Sequence, residues 1–230
     1  MKKVFARLPV LFFCFICLGS LHAQMRYGLK AGVVLADMPF REPDVLAYNF
    51  VVLQKAAMPA FTFFAGGVAE YDLRRNWALS AELQFSGKGY RESTTDSTLD
   101  FTGYDAQLWH LQAPVALNFR WNGIFIGAGP YMGIGLAGRT KTTLNITTNP
   151  APVITKERVR FGNTEDDYFR RFDGGLYAQA GYSFRNFRLC AAAFFGLTNT
   201  IPDFYASYYQ AKARQQSFSV GAAYFFGISE

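Results

Sequence analysis

Eight segments of alternating apolar residues run through this chain, joined strictly in turn by three short connections and four long ones. That rhythm restricts the fold severely. Strands linked by tight turns at one end and long loops at the other fit a closed antiparallel barrel lying in a bilayer. The sequence is 50% hydrophobic and 17% aromatic, yet it has no long apolar run beyond its N-terminal segment. A membrane helix needs roughly 20 such residues in a row. A membrane strand shows only about ten residues of alternation.

The segments are Arg26–Leu35, Ala60–Tyr71, Trp77–Ser86, Trp109–Arg120, Ile124–Leu136, Gly175–Phe184, Phe187–Gly196 and Phe218–Phe226. Period-two alternation puts each residue set on one face of its strand. One set carries no ionisable side chain except tyrosine. The other collects Lys30, Glu70, Glu82, Gln84, His110, Gln112, Arg120, Gln179 and Arg188. A Lys or Arg facing lipid at the midplane costs about 2–4 kcal/mol. The apolar set is therefore expected outside and the polar set inside, forming a structural network. Glu70, Arg120 and Arg188 are expected near the short-turn end, and Lys30, Glu82, Gln84, Gln112 and Gln179 nearer the middle. Eight strands leave an interior that side chains fill. Phe64, Tyr131, Tyr177 and Phe194 are the expected plug, with Gly66, Gly127, Gly129 and Gly133 giving them room.

Cross-strand partners must share a face. Asn122-Gly123 is a two-residue type I′ signal that pairs Trp121 with Ile124. Arg185-Asn186 pairs Phe184 with Phe187, and a five-residue turn from Asp72 to Asn76 pairs Tyr71 with Trp77. Tyr71, Trp77, Phe119, Trp121, Phe184, Phe187 and Phe226 cluster beside these turns, where an interfacial aromatic girdle belongs. The long connections fall at 37–58, 87–106, 138–173 and 197–215. In the third, Thr142–Thr148 and Val153–Phe161 predict a hairpin rising above the membrane. The fourth carries Phe204, Tyr205, Tyr208 and Tyr209, suited to packing over the mouth or to contact with a partner or with lipopolysaccharide.

Residues 1–23 read as a secretory signal peptide: Lys2, Lys3 and Arg7 precede an apolar run from Leu8 to Leu21, and Leu21-His22-Ala23 is the exit. Residues 24–230 then fit one barrel domain. Of 23 Lys+Arg against 17 Asp+Glu, three cations leave with the leader, so the formal net charge falls from +6 to +3. Such a balance makes no case for nucleic acid. Cys14 and Cys17 leave too, so Cys190 stands alone as a buried thiol. His110 is the only remaining histidine and reads as structural. Ser80 and Ser86 read as ordinary lumen serines, and no metal-ligand spacing or cofactor signature is present. Glu165-Asp166-Asp167 reads as a solvated acid cluster, and Asn145-Ile-Thr147 as a chance sequon.

Several stretches resemble the PorT-like outer-membrane β-barrel family. They are Tyr27–Gly32 (YGLKAG), Phe64–Tyr71 (FAGGVAEY), Ala81–Gly89 (AELQFSGKG), Leu108–Pro114 (LWHLQAP), Gly127–Tyr131 (GAGPY) and Gly196–Asn199 (GLTN). Trp109 stands where that family usually has Tyr. The resemblance implies an eight-stranded transmembrane barrel in the outer membrane of a Gram-negative cell, inserted by the barrel-assembly machinery. It implies no catalytic residues. Its namesake is tied to protein secretion.

The expected class is thus an all-β, eight-stranded antiparallel up-and-down transmembrane barrel with a filled polar and aromatic lumen. The expected role is a non-enzymatic envelope or interaction protein working through its loops, with outer-membrane lipid and lipopolysaccharide as surroundings. An accessory part in a secretion system, whose proteins would then be partners, is the alternative. A membrane enzyme and a narrow ion channel follow. A secreted lipocalin-like binder, with its apolar face inward, is the competing fold.

Overall fold

The computed structural model describes residues 25–38, 40–41, 57–93, 101–144, 151–209 and 212–226. The expected leader at 1–23, the sequon at 145–147 and most of the first long connection lie outside the described residues. The strands are β1 (Met25–Asp37), β2 (Phe40–Arg41), β3 (Ala57–Arg74), β4 (Trp77–Ser93), β5 (Phe101–Trp121), β6 (Ile124–Leu144), β7 (Val153–Arg158), β8 (Phe172–Phe184), β9 (Phe187–Gly196), β10 (Lys212–Ala213) and β11 (Gln216–Phe226). A short helix, α1 (Asp203–Tyr209), precedes β10. Eight of these strands close an antiparallel ring, β1–β3–β4–β5–β6–β8–β9–β11, and β11 returns to β1. β7 stands outside the ring, paired to the far end of β6, and β2 pairs with β10 in a separate two-stranded sheet.

The ring closes because each turn keeps like faces together. Asn122 and Gly123 take positive φ of 49° and 82°, as a type I′ turn demands. Trp121 then meets Ile124, and Phe119 meets Ile126. At Gly123 a Cβ would lie 2.8 Å from the Tyr182 ring, so the turn is closed to larger residues on packing grounds as well. Phe184 meets Phe187 across the Arg185 turn. The first short turn is tighter than its sequence suggests. Arg74 pairs with Trp77, and Tyr71 pairs with Leu79 rather than Trp77, with a register shift between Asp72 and Arg74. A bulge at Leu73 absorbs the extra residue, so Tyr71 still shares a face with its partner.

Apolar side chains face outward all round: Leu29, Val33, Phe61, Leu83, Leu117, Ile126, Met132, Leu176, Leu189 and Val220 are exposed. Charged and amide groups are buried within the cylinder. A lipocalin-like arrangement, apolar within and polar without, is thereby overturned. A second outward aromatic cluster lies toward the long-loop end. Trp109 stacks on Phe85 at 5.1 Å and tilts against Phe63 at 5.1 Å.

Two of the expected loops shrink. β4 continues to Ser93, β5 begins at Phe101, and β6 runs to Leu144, so most of 87–106 and the start of 138–173 are strand. The outward side chains there are Arg91, Asp105, Gln107, Arg139 and Lys141. They are polar because the strand has left the hydrocarbon, so an apolar-outward criterion ends each strand too early. The expected hairpin is present as the β6–β7 pair, with Leu144 opposite Val153.

Candidate functional site

Period-two alternation sends every second residue of the ring strands into one narrow lumen, where three polar layers form. At the short-turn end Glu70 is fully buried. Arg188 grips it with Nη1 to Oε2 at 2.6 Å and Nη2 to Oε1 at 3.0 Å, and Arg120 Nη1 donates to Oε1 at 3.2 Å. Arg26 donates to the same carboxylate, and Arg120 also reaches Asp72. The Arg188 guanidinium lies between the Phe125 and Phe225 rings, at 4.5 and 4.7 Å. Three arginines on one carboxylate offset the cost of holding that charge away from water.

The middle layer centres on Lys30. Its ammonium donates to Glu82 at 3.0 and 3.1 Å and to the Tyr177 hydroxyl at 3.1 Å. Tyr177 donates on to Gln179 at 2.9 Å, and Gln179 Nε2 donates to Asn118 Oδ1 at 2.8 Å. Asn118 donates to Ser80 at 2.9 Å, and Gln84 donates to Glu82. This crowding explains Gly127, where a Cβ would fall 1.9 Å from Asn118 Oδ1. Beside the layer Phe194 packs against Tyr177 at 4.7 Å and Tyr131 at 5.2 Å, so aromatic rings occupy the lumen.

The third layer is absent from the sequence expectations. Lys88 Nζ meets Asp173 Oδ2 at 2.7 Å, and both side chains are 2% exposed. Tyr131 and Thr198 donate to the same carboxylate, each at 3.0 Å. Lys88 shares parity with Glu82, Gln84 and Ser86, the one signal that could have placed it inside. His110 and Gln112 are buried nearby on β5. Among the described residues, His110 Nδ1 and both Gln112 amide atoms lack a hydrogen-bond partner. Ser86, the register partner of His110, turns its hydroxyl to the Gly87 carbonyl at 3.3 Å. Among the described residues, His110 Nδ1 is thus bonded neither to Ser86 nor to Asp173.

Above this layer the mouth is stoppered. Met38, Tyr90, Ala106, Leu108, Val159, Phe169 and Ala213 form one apolar cluster, with Phe161 packed against it and edge-on to His110 at 5.9 Å. In the acid cluster, the Thr164 hydroxyl and amide both donate to Asp167, which holds that exposed carboxyl below its ordinary range. Among the described residues no three His, Cys, Asp or Glu side chains gather as a metal group. Cys190 is buried, with Sγ 3.5 Å from the Gly221 carbonyl. Phe204 is exposed on α1, while the side chains of Tyr205, Tyr208 and Tyr209 lie outside the described set.

The expected girdle residues sit on the outer surface. Trp77 packs edge-on against Phe119 at 5.1 Å, and Trp121, Phe184, Phe187 and Phe226 are exposed, with Tyr71 half-buried. Phe187 and Phe226 each pack against Tyr224, at 5.0 and 5.6 Å.

A sealed ring with a greasy exterior and internal ion pairs defines a membrane-spanning β-barrel. The sequence profile described as "Outer membrane protein beta-barrel domain" matches residues 22–202, and the chain belongs to that family of outer-membrane proteins. No curated protein matches. Solved structures with a similar course include Neisserial surface protein A, at 12% identity and a TM-score of 0.45, covering 86% of this chain and 96% of that one. The attachment invasion locus protein of Yersinia pestis, in complex with the heparin analogue sucrose octasulfate, is 14% identical with a TM-score of 0.38, over 88% of this chain and 99% of that one. The outer membrane protein OprG from Pseudomonas aeruginosa is 11% identical with a TM-score of 0.39, over 88% and 96%.

Proposed function

We propose that the protein is a non-enzymatic outer-membrane barrel that serves as an interaction platform through its long-loop end. The carrying observation is the height of one wall. β5 and β6 are each 21 residues long, where a tilted membrane strand needs about 9–11. The excess stands above the bilayer on the β3–β7 side. β8 and β9, at 13 and 10 residues, stop lower. The tall wall is braced from within by the apolar cluster around Leu108 and Phe169. A lumen filled by paired charges and rings supports surface work rather than transport. Reconstitution in a planar bilayer tests this, with a silent membrane as the expected result. Discrete conductance steps would replace the platform with a channel.

A secretion-accessory role is the second reading, favoured by the ordered stretches that resemble the PorT-like family. Secretion subunits recovered with the intact barrel from its own membranes would select that role.

A further inference from the structure

The outer face of the tall wall carries an unusual arrangement of charge. Arg139 on β6 lies directly opposite Arg158 on β7, and Lys141 lies opposite Lys156. Residues two apart share a strand face, so the four cations form one grid. All four are exposed, while the pair between them, Thr140 with Glu157, takes the other face, where Thr140 is buried and Glu157 accepts from the Tyr168 hydroxyl. Neither pair has a carboxylate partner among the described residues. The row continues to Asp105, the register partner of Lys141, but Asp105 is taken by Arg91 at 3.2 Å.

Like charges directly opposite each other destabilise a strand pair. The next pair up on the same face, Thr143 with Ile154, shows a neutral solution on the same ladder. Cations on β7 would be expected as protection of an exposed edge. That does not account for Arg139 and Lys141, because β6 is paired on both sides there, to β5 and to β7. The grid also sits at a definite height. The outward stripe from Ile124 to Leu136 is apolar, and at roughly 3.4 Å per residue and a tilt near 40° it climbs on the order of 30 Å. That distance uses up the hydrocarbon core. A register shift opposite the Trp109–His110 step bulges β6 at Leu136 and moves the outward positions from even to odd, so Ala137 and then Arg139 follow on that face, above the Phe85–Trp109 stack.

We infer that this face seats the phosphorylated sugar headgroup of a glycolipid in the outer leaflet. Its phosphates rest on Arg139, Lys141, Lys156 and Arg158, and its acyl chains descend over Trp109 and Leu136. This rests on the proposed reading that the long-loop end faces outward. The cross-strand spacing of about 5 Å and row spacing of about 7 Å let one phosphate meet two or three cations at once.

Native mass spectrometry of the full barrel in detergent tests the site. The probes are bisphosphorylated lipid A, its monophosphorylated form, phosphatidylglycerol and heparin. Lipid A should bind at least tenfold more tightly than phosphatidylglycerol and more tightly than the monophosphorylated form. The Lys156→Gln/Arg158→Gln pair should weaken it about tenfold, and so should Arg139→Gln/Lys141→Gln. Lys212→Gln/Arg214→Gln, an equal charge loss elsewhere on the mouth, should leave it unchanged. Heat-modifiable gel migration checks that each variant still closes its ring. Equal binding of lipid A and phosphatidylglycerol overturns the assignment, as does undiminished binding by both wall variants. Binding of heparin alone would make the face a polysaccharide site and overturn it too. Biotin labelling of Lys156 on intact cells separates the two claims: labelled protein that ignores lipid A sinks the glycolipid site and leaves the platform standing.

Discussion

Glu70 shows how one residue organises an end of the barrel. Its carboxylate is the shared counter-ion for Arg26, Arg120 and Arg188. Removing one partner of a buried ion pair leaves uncompensated charge and costs about 3–5 kcal/mol. Glu70→Gln should therefore lose about that much, read as a lower urea midpoint for unfolding in lipid vesicles. A loss below about 1 kcal/mol would mean that water or Asp72 already neutralises the arginines. Parity alone points Glu70, Arg120 and Arg188 into the lumen. Arg26 has the same parity, but as the second residue of β1 it has no long alternation beneath it to mark it as lumenal. Its contact follows from register, which sets Arg26 opposite Glu70.

Turns govern the elements. A side chain at Gly123 would have to occupy the left-handed region at a cost of about 1–2 kcal/mol. It would also press on Tyr182. Gly123→Val should lower unfolding stability by at least that strain, measured by the same urea titration. An unchanged midpoint would show that the β5–β6 register is held by packing alone. The turn signals at Asn122-Gly123 and Arg185-Asn186 are local, and they are readable because two-residue hairpins allow few conformations. The bulge at Leu73 has no such local signature. It arises where Tyr71 must stay outside while the chain still reaches the tight turn at Arg75 and Asn76.

The whole molecule rests on the contrast between its two surfaces. Val220 is exposed on the outer wall, beside Val33 and Ala191. An arginine there would face lipid near midplane at about 2–4 kcal/mol. Val220→Arg should show that loss in reversible folding into vesicles and a much smaller one in detergent, where the headgroup can reach water. Equal losses in both would argue that position 220 lies near an interface. The upper polar layer belongs to this scale too. Lys88 and Asp173 come from β4 and β8, far apart in sequence, and closure of the ring brings them to 2.7 Å.

The sequence by itself determined the eight-strand alternation, the inward and outward sets and two of the three short-turn registers. These follow from steric rules that act between near neighbours and from the cost of charge in hydrocarbon. Only the tertiary structure decided the height of the β3–β7 wall, the Lys88–Asp173 layer, the apolar stopper beneath the loops and the cation grid on β6 and β7. Beyond the bilayer the outward face no longer has to be greasy, so alternation fades from the sequence although the strands continue. Which residues then meet depends on ring closure and cross-strand register, and those exist only once the chain is folded.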